Sequence, residues 1–386
     1  MSGRRSIFEE VSGNRPPATA PSSDGARTAS LRARRAARLW LVSLFALVVI
    51  MVIVGGLTRL TGSGLSITEW RPVTGAIPPL SADAWAEEFE KYRLIPQYQL
   101  MNRGMSLEEF KVIYWWEWGH RQLGRLIGLV WAAGFAALWL SGRLPRGWSG
   151  RFWLLGALGG VQGAIGWWMV ASGLQDDMLA VAPYRLAVHL GLAFVILGLL
   201  TWYIGQLGRS GTELMQARRL RDRAQMGGAT GLMHLGLVQI LLGALVAGNA
   251  AGRVYVDWPL MHGVFFPPES LDLVPMWRNF FENEAMVQFL HRMAGYLLVV
   301  VGLLFWLRAR KSPHRAVRRA VHGVFAVLLA QVVLGILTLM QGAPVAWAIA
   351  HQALAVGLWV MILHARFVVA YPVADGLRSA GRGGIS

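Results

Sequence analysis

GGLTRLTGSGLSITEWRPVTGAIPP, residues 55–79, decides the fold of this chain, because much of it returns 188 residues later in altered form. The positions that match are Gly55 and Gly243, Gly64 and Gly252, Glu69 and Asp257, Trp70 and Trp258, Gly75 and Gly263, and Pro79 and Pro267. Self-similarity at a fixed spacing indicates an internal repeat. We therefore expect a duplicated protein in which each copy of this motif forms a tight loop where an apolar helix ends.

The composition is that of an integral membrane protein. Of 386 residues, 55% are hydrophobic and 15% are charged, whereas about a quarter of the residues of a soluble domain are charged. Several apolar runs reach the roughly 20 residues that a helix needs to cross the hydrocarbon core. An all-α membrane protein of about eight transmembrane helices is predicted, at residues 39–58, 114–140, 152–171, 184–206, 227–248, 286–307, 320–340 and 347–369.

The distribution of positive charge predicts the topology. Much of the net charge of +16 comes from Lys and Arg before the first span, after the last span and in every second loop. Such residues mark cytoplasmic segments, so both termini are expected in the cytoplasm of a multi-pass protein of the bacterial inner membrane. The basic side chains then contact membrane lipid, and nucleic acid is not an expected partner. The chain has no cysteine, which excludes disulfides and thiolate metal sites.

The repeat predicts the domain organisation. Two four-helix bundles in tandem are expected, at residues 39–206 and 227–369, and a basic cytoplasmic linker at 207–226 joins them. Residues 1–38 are expected to form a disordered basic cytoplasmic tail, and residues 370–386 a second cytoplasmic tail.

Four of the nine histidines fall into matched pairs, His120 with His291 and His189 with His351. Within each half the two histidines begin spans that start at the same face of the membrane. Two imidazoles facing each other across a helical bundle are a known arrangement for axial ligation of heme iron. We therefore interpret His120 with His189 as one pair of iron ligands and His291 with His351 as the other.

Small and basic residues near these histidines support the interpretation. Gly124 and Gly295 lie one turn beyond the first histidine of each pair, where a flat porphyrin needs room. The guanidinium groups of Arg121, Arg125 and Arg292 are candidates to pair with propionate carboxylates. The alternative is that the histidines are interfacial and that the small residues let helices pack closely. The other five histidines are expected to be structural.

The two halves differ at an ionisable position. Glu117 precedes His120 by one helical turn, and the second half has Gln288 there; Arg125 similarly corresponds to Tyr296. A carboxylate inside a membrane bundle is costly unless it is functional or paired. The first half is therefore the candidate for chemistry, with Glu117 as a proton-handling group, and the second half for a fixed cofactor. The alternative is that Glu117 is an interfacial anchor or the ion-pair partner of an arginine.

These motifs together resemble the heme A synthase family, in its cysteine-free bacterial and mitochondrial type. The resemblance covers about residues 39–369 and rests on the loop at 55–79 and on EWGHRQLGR (117–125), VQGAIGWWMVASGL (161–174), HLGLA (189–193), FLHRMAGY (289–296) and AHQALA (350–355). The long first-loop motif followed by Glu-x-x-His-Arg is highly specific, whereas each histidine motif alone is weak.

The resemblance implies an enzyme that oxidises the C8 methyl group of heme O to a formyl group, by two hydroxylations and loss of water from the resulting diol. It implies that heme O lies near His120 and His189, that His291 and His351 hold a heme b, and that Glu117 is the family's functionally important carboxylate. The implied partners are a heme O synthase, oxidase assembly factors and an electron donor that the sequence does not identify. Some members carry a cysteine pair, which this chain lacks.

Two other functions agree with parts of the sequence. A di-heme b cytochrome that transfers electrons without substrate chemistry would need the four histidines equally. A transporter built on repeats could use histidines in a proton path, although it would leave the Glu-x-x-His-Arg motif without a role.

Overall fold

A computed structural model describes residues 23–175 and 178–373 of the chain. Among these residues, eight helices are long and apolar enough to cross a membrane. They are α1 (Ser23–Leu60), α4 (Leu107–Leu140), α5 (Ser149–Ser172), α6 (Pro183–Leu207), α8 (Arg223–Gly248), α10 (Glu284–Ala309), α11 (Arg315–Met340) and α12 (Val345–Ala370). Shorter helices are α2 (Ala82–Arg93), α3 (Pro96–Leu100), α7 (Gly211–Arg219) and α9 (Asn279–Glu282). The prediction of an all-α protein with eight membrane-spanning helices is confirmed.

Side-chain caps fix where helices begin in the first long loop, residues 61–106. Ser106 Oγ accepts a hydrogen bond from the Glu109 backbone N–H, and the Glu109 carboxylate accepts one from the Ser106 N–H. This capping box satisfies two backbone donors at the start of α4. Residues 106–111 are therefore the cap and first turn of α4. The short helix α2 begins in the same way, with Ser81 as its cap.

Helix extends further than the sequence predicts at two basic segments. α1 begins at Ser23, so the part of the predicted tail from residue 23 to 38 is helical, and residues 1–22 lie outside the described residues. The segment is rich in Ala and Arg, which favour helix. The predicted linker likewise contains α7, which packs through Ala217 against Ala370 and Tyr371.

The eight long helices pack as two rings of four. α1 and α5 each pack against both α4 and α6, so that α4 and α6 stand at diagonal corners of the first ring. In the second ring, α8 and α11 each pack against α10 and α12, which are again diagonal. The rings meet where α12 packs against α1 and α6, and where α6 packs against α8. Because lipid tails are as apolar as the side chains, this association depends on close packing rather than on water exclusion.

The first long loop has a hydrophobic core of its own. Tyr92 and Phe110 are fully buried there and pack with Leu65, Tyr98 and Tyr114. Burying each large aromatic side chain contributes about 1.5–3 kcal/mol to stability. The loop is therefore held as an ordered cap against the histidine-bearing end of α4.

Candidate functional site

The four paired histidines lie on the diagonal helices of the two rings. His120 is on α4 and His189 on α6, whereas His291 is on α10 and His351 on α12. The two histidines of each pair therefore lie on diagonal helices of the same ring. The structure thus brings together the predicted histidine pairs, one in each ring.

Each imidazole packs against a glycine of an adjacent helix in its ring. A Cβ added to that glycine would approach the imidazole to 3.2 Å (Gly55 to His120), 3.1 Å (Gly243 to His291), 2.9 Å (Gly166 to His189) and 2.9 Å (Gly335 to His351). Contacts this short require the ring to move. Glycine is therefore needed at all four places to let the imidazole lie between the helices.

Three of the imidazoles are also approached by a glutamine amide. Gln162 Nε2 donates to the His189 carbonyl oxygen at 2.9 Å and lies 3.2 Å from its Nδ1. Gln331 repeats this arrangement at His351, with distances of 3.0 and 3.2 Å. Gln239 Nε2 donates to the His291 carbonyl oxygen at 3.1 Å.

The fourth imidazole, His120, differs. The residue 188 positions before Gln239 is Met51, whose Cε lies 3.4 Å from the position of a Cβ on Gly124. A thioether therefore lies where the second ring has an amide. This difference between the halves adds to the two that the sequence predicted.

Buried polar atoms without partners concentrate at the histidines. In the described part of the chain they include Gln162 Oε1, Gln239 Oε1, Gln331 Oε1 and His291 Nδ1. Leaving such a group unsatisfied costs about 1–3 kcal/mol, and each case in a folded protein requires an explanation. Metal coordination would give a partner to an unprotonated imidazole nitrogen such as His291 Nδ1, whereas the amide oxygens need hydrogen-bond donors. The diagonal imidazoles and the glycines behind them fit a heme whose iron the two histidines of a ring would hold.

Glu117 fastens the first long loop to α4. Its carboxyl group is buried, with 2% of the residue exposed. Oε2 accepts hydrogen bonds from Ser66 Oγ at 2.8 Å and from the Ile67 N–H at 2.9 Å. Oε1 accepts from Arg121 Nε at 3.1 Å and Nη2 at 2.6 Å. Both oxygens are therefore engaged by the loop and by one arginine.

Gln288 does the same for the second long loop, residues 249–283, without a charge. Its Nε2 donates to the carbonyl oxygens of Ala251 and Tyr255 at 3.0 and 3.1 Å. Its Oε1 accepts from Arg292 Nη2 at 3.2 Å. The carboxylate in the first ring faces N–H and O–H donors, whereas the amide in the second ring also faces carbonyl acceptors. The loop backbones thus account for the exchange of Glu for Gln.

The arginines that the sequence proposed as propionate partners also bind the loops. Arg121 donates to the carbonyl oxygens of Ile67 and Glu69 at 2.7 and 3.0 Å. Arg125 donates to those of Arg71 and Pro72, both at 2.9 Å. At the position of Arg125, the second half has Tyr296, whose hydroxyl accepts from Trp258 Nε1 at 2.9 Å.

Arg292 retains an unused donor. Its Nη1 donates to the Leu260 carbonyl oxygen at 2.8 Å and its Nη2 to that of Tyr255 at 3.1 Å, but its Nε is buried without a partner. Arg292 therefore still has a donor for an anionic group. Gly295 lies one turn beyond His291, and a Cβ added to it would lie 3.4 Å from Gln239 Nε2.

Tyr255 and Glu269 form a second fastening within the second long loop. The Tyr255 hydroxyl donates to the Glu269 carboxylate. Burial, followed by this hydrogen bond, raises the pKa of Tyr255, and the same hydrogen bond lowers the pKa of Glu269. The His262 ring packs on the Tyr255 ring at 4.6 Å.

The two rings differ in the space beside the third helix of each half. A Cβ on Gly159, Gly160 or Gly163 of α5 would meet no described atom of a neighbouring helix within 4 Å. Counting 169 residues on, the repeat places Leu328, Leu329 and Val332 at these positions of α11, and Leu328 is buried. The three glycines are exposed, so this stretch of α5 is less bulky than the corresponding stretch of α11.

Most of the remaining histidines have local partners. His234 Nδ1 contacts the Thr230 carbonyl oxygen at 3.0 Å, His314 Nδ1 that of Val373 at 3.2 Å, and His322 Nδ1 accepts from Trp306 Nε1 at 2.9 Å. These contacts agree with the structural roles expected for them.

Sequence reasoning missed the glycines and glutamines around the imidazoles as site residues. The signal was present, because Gly55 matches Gly243, Gly166 matches Gly335 and Gln162 matches Gln331 within the repeat. What the sequence lacked was the knowledge that these positions face the histidines from adjacent helices. Met51 and Gln239 could have been found as another departure from the repeat.

Comparison with known proteins is consistent with this geometry. Residues 38–363 match the model of a family described as cytochrome oxidase assembly protein. The chain is 59% identical to the heme A synthase of Ruegeria sp. (strain TM1040), over 97% of this chain and 99% of that protein. It is 60% identical to the heme A synthase of Dinoroseobacter shibae, over 98% and 100%, and 55% identical to that of Paracoccus denitrificans, over 98% and 100%. The chain therefore belongs to the heme A synthase family of cytochrome oxidase assembly proteins.

Proposed function

We propose that this chain is a heme A synthase, a membrane oxidoreductase that converts the C8 methyl group of heme O to the formyl group of heme A for terminal oxidases. The observation that carries the proposal is the repeated histidine site. In each ring two imidazoles lie on diagonal helices, and each packs against a glycine at a place where a Cβ would crowd the imidazole. The relatives that match over nearly the whole chain bear the same name.

The first ring is the proposed substrate site. His120 and His189 hold the iron of heme O there, and Gly124 beside His120 leaves room for the porphyrin. Met51 in place of an amide gives this site a different environment.

The second ring is the proposed site of a resident heme b. His291 and His351 are its axial ligands, and the Arg292 Nε–H, buried without a partner, is the donor available to a propionate. When bound, the heme iron supplies the electron-transfer chemistry. Gln239, Gln331 and the glycines hold the imidazoles in orientation, since each contacts a histidine directly.

The long loops and their fastenings keep water from the histidine-bearing ends of the rings. In the first ring, Glu117 and Arg121 bind residues 66–69 over that end of the bundle. Arg125 adds residues 71–72. We assign Glu117 first to this positioning role, and its predicted role in proton handling stays a prediction. A heme O synthase, oxidase assembly factors and a separate electron donor are the proposed partners.

One observation favours the second candidate function, a di-heme b electron-transfer cytochrome. Gln162 and Gln331 contact their histidines with nearly the same distances, as two equivalent resident hemes would require. The heme content of the protein separates the two functions.

The test is extraction and chromatographic identification of hemes from the purified full-length protein, expressed with and without a heme O synthase. The enzyme is expected to hold heme b alone when the heme O synthase is absent, and heme b with heme A or O-derived intermediates when the synthase is present. Heme b at about two per chain under both conditions would instead establish the electron-transfer cytochrome.

A further inference from the structure

We infer that Gln352 is a positioning residue that couples the two histidine sites through α1; this inference rests on the proposed function. Gln352 follows the proposed heme b ligand His351 on α12. Its Nε2 donates to the Val52 carbonyl oxygen of α1 at 2.6 Å. The side chain therefore reaches from the second ring into the first.

The amide lies flat on a glycine of α1. A Cβ added to Gly56 would come within 2.4 Å of Gln352 Oε1 and 2.6 Å of its Nε2. The preceding residue, Gly55, packs against His120. A Cβ added to Gly55 would lie 3.2 Å from His120 Nε2. In α1, Gly55 thus contacts His120 of the proposed substrate site. Gly56 contacts Gln352, which follows His351 of the proposed heme b site.

The corresponding contact on the other side of the molecule is made without a polar group. The repeat places Leu190 at the position of Gln352 and Ala244 at the position of Gly56. Ala244 is buried, with 2% of the residue exposed, and packs with Leu190 and Ala187 between α8 and α6. Apolar side chains are therefore sufficient to join the rings, and the half-buried amide of Gln352, whose desolvated part is costly, has a further role.

That role is to make the position of α1 depend on α12. The hydrogen bond fixes the backbone of α1 at Val52, one turn before the Gly55–Gly56 pair, relative to the helix that carries His351. Occupation of the second ring, which orders His351, then orders the wall behind His120. Because coupling between two binding sites is reciprocal, heme b and heme O each favour binding of the other.

Two single variants and one double variant test the coupling in the full-length protein. Gln352→Leu removes the amide, and Gly56→Ala displaces it. The double variant Gly56→Ala/Gln352→Leu reproduces the apolar Ala244–Leu190 pair, which already packs between the rings elsewhere in this chain. Leu190→Met, a volume-conserving change at the apolar contact, is the matched control.

The measurements are heme b content, the affinity for added heme O from absorbance titration, and the electron paramagnetic resonance spectrum of each ferric heme. With heme b content unchanged, all three variants are expected to bind heme O about tenfold more weakly and to shift the substrate-heme signal. Leu190→Met is expected to match wild type. EPR separates altered ligation at His120 from a general loss of packing.

Each other outcome has a definite meaning. Wild-type heme O affinity in Gln352→Leu, or recovery of that affinity in the double variant, would overturn the inference, because packing alone would then be sufficient. Loss of heme b from Gln352→Leu would also overturn it, since Gln352 would then serve its own site. Failure of the wild-type protein to bind heme O would refute the proposed function itself.

Discussion

Replacing Glu117 by Gln separates the loop-fastening role of this residue from any role in proton transfer. In the folded protein one carboxylate oxygen accepts from Ser66 and Ile67, and the other accepts from Arg121. Gln has one acceptor oxygen and one NH2 group. If the oxygen stays on Arg121, the NH2 group faces the Ile67 N–H, and this buried donor loses its partner.

The size of the effect follows from these contacts. An unsatisfied buried donor costs about 1–3 kcal/mol, and a hydrogen bond to a charged group contributes about 1.5–3 kcal/mol. A weakening of loop attachment by about 3 kcal/mol is expected, which corresponds to roughly 100-fold more frequent local opening around residue 67. The hydrogen-bond partners of this carboxylate lie in the first long loop and on α4, not in the second ring, so heme b content is expected to stay unchanged.

Hydrogen exchange and product yield are measured on the same preparations. Exchange of the Ile67 amide is expected to accelerate about 100-fold, and heme A yield in cells that make heme O to fall at least about tenfold. Ser66→Ala is the matched control, because it removes one hydrogen bond to the carboxylate, keeps the charge and leaves no buried donor unpaired, with an expected cost of about 1.5 kcal/mol. If Glu117 acts only through the loop, heme A yield falls in proportion to loop opening in both variants.

Two results would refute this reasoning. Unchanged exchange at Ile67 in Glu117→Gln would show that the carboxylate does not hold the loop. Normal heme A yield despite an open loop would show that the fastening does not matter for function. A yield far below that expected from loop opening would instead establish the predicted proton-handling role.

Three further results are expected. His291→Ala and His351→Ala should each remove the stable heme b, whereas His120→Ala should keep it; an unchanged heme spectrum in the first two would contradict the assignment of the second ring. Gly335→Ala should shift the heme b spectrum and weaken heme b retention at least about tenfold, because its Cβ would lie 2.9 Å from the His351 ring and the ring must move. Gly357→Ala is the control, because a Cβ there meets no described neighbouring atom within 4 Å. Equal heme b retention in both variants would argue against the glycine requirement. The hydrogen bond from Tyr255 lowers the pKa of Glu269. The stabilisation that this bond gives the second long loop is therefore present above the unfolded-state pKa of about 4.3 and is lost as the pH falls through the lower pKa of the folded state. Proteolysis of the loop should rise in acid, and Tyr255→Phe should remove this pH dependence.

The sequence was sufficient to predict the spans and which histidines correspond between the halves, because both depend on local pattern. A run of apolar residues specifies a membrane helix wherever it lies, and the repeat showed which histidines correspond. The location of each span needed no knowledge of its neighbours. The segment 23–38 was predicted less well, since a basic, polar composition describes a solvated helix and a disordered tail equally.

The surroundings of the imidazoles could not be predicted in the same way. That Gly166 faces His189 depends on the packing of α5 against α6, which no property of either residue reveals. The same limit applies to Glu117: the sequence showed a carboxylate beside an arginine, but not the Ser66 and Ile67 donors that bind it. Pairing across helices is fixed by the ring arrangement, and it becomes visible only in three dimensions.

The difference between the halves is consequently located elsewhere than the sequence suggested. Glu117 and Gln288 both fasten a long loop to the helix of the first histidine, and each matches the backbone groups that it meets. Their exchange therefore gives no reason by itself to assign chemistry to one ring. The departure that lies beside the predicted site residues is Met51, next to Gly124, opposite Gln239, next to Gly295. If substrate binding distinguishes the rings, Met51→Gln should make the first ring retain heme more like the second, and heme content after purification measures this directly.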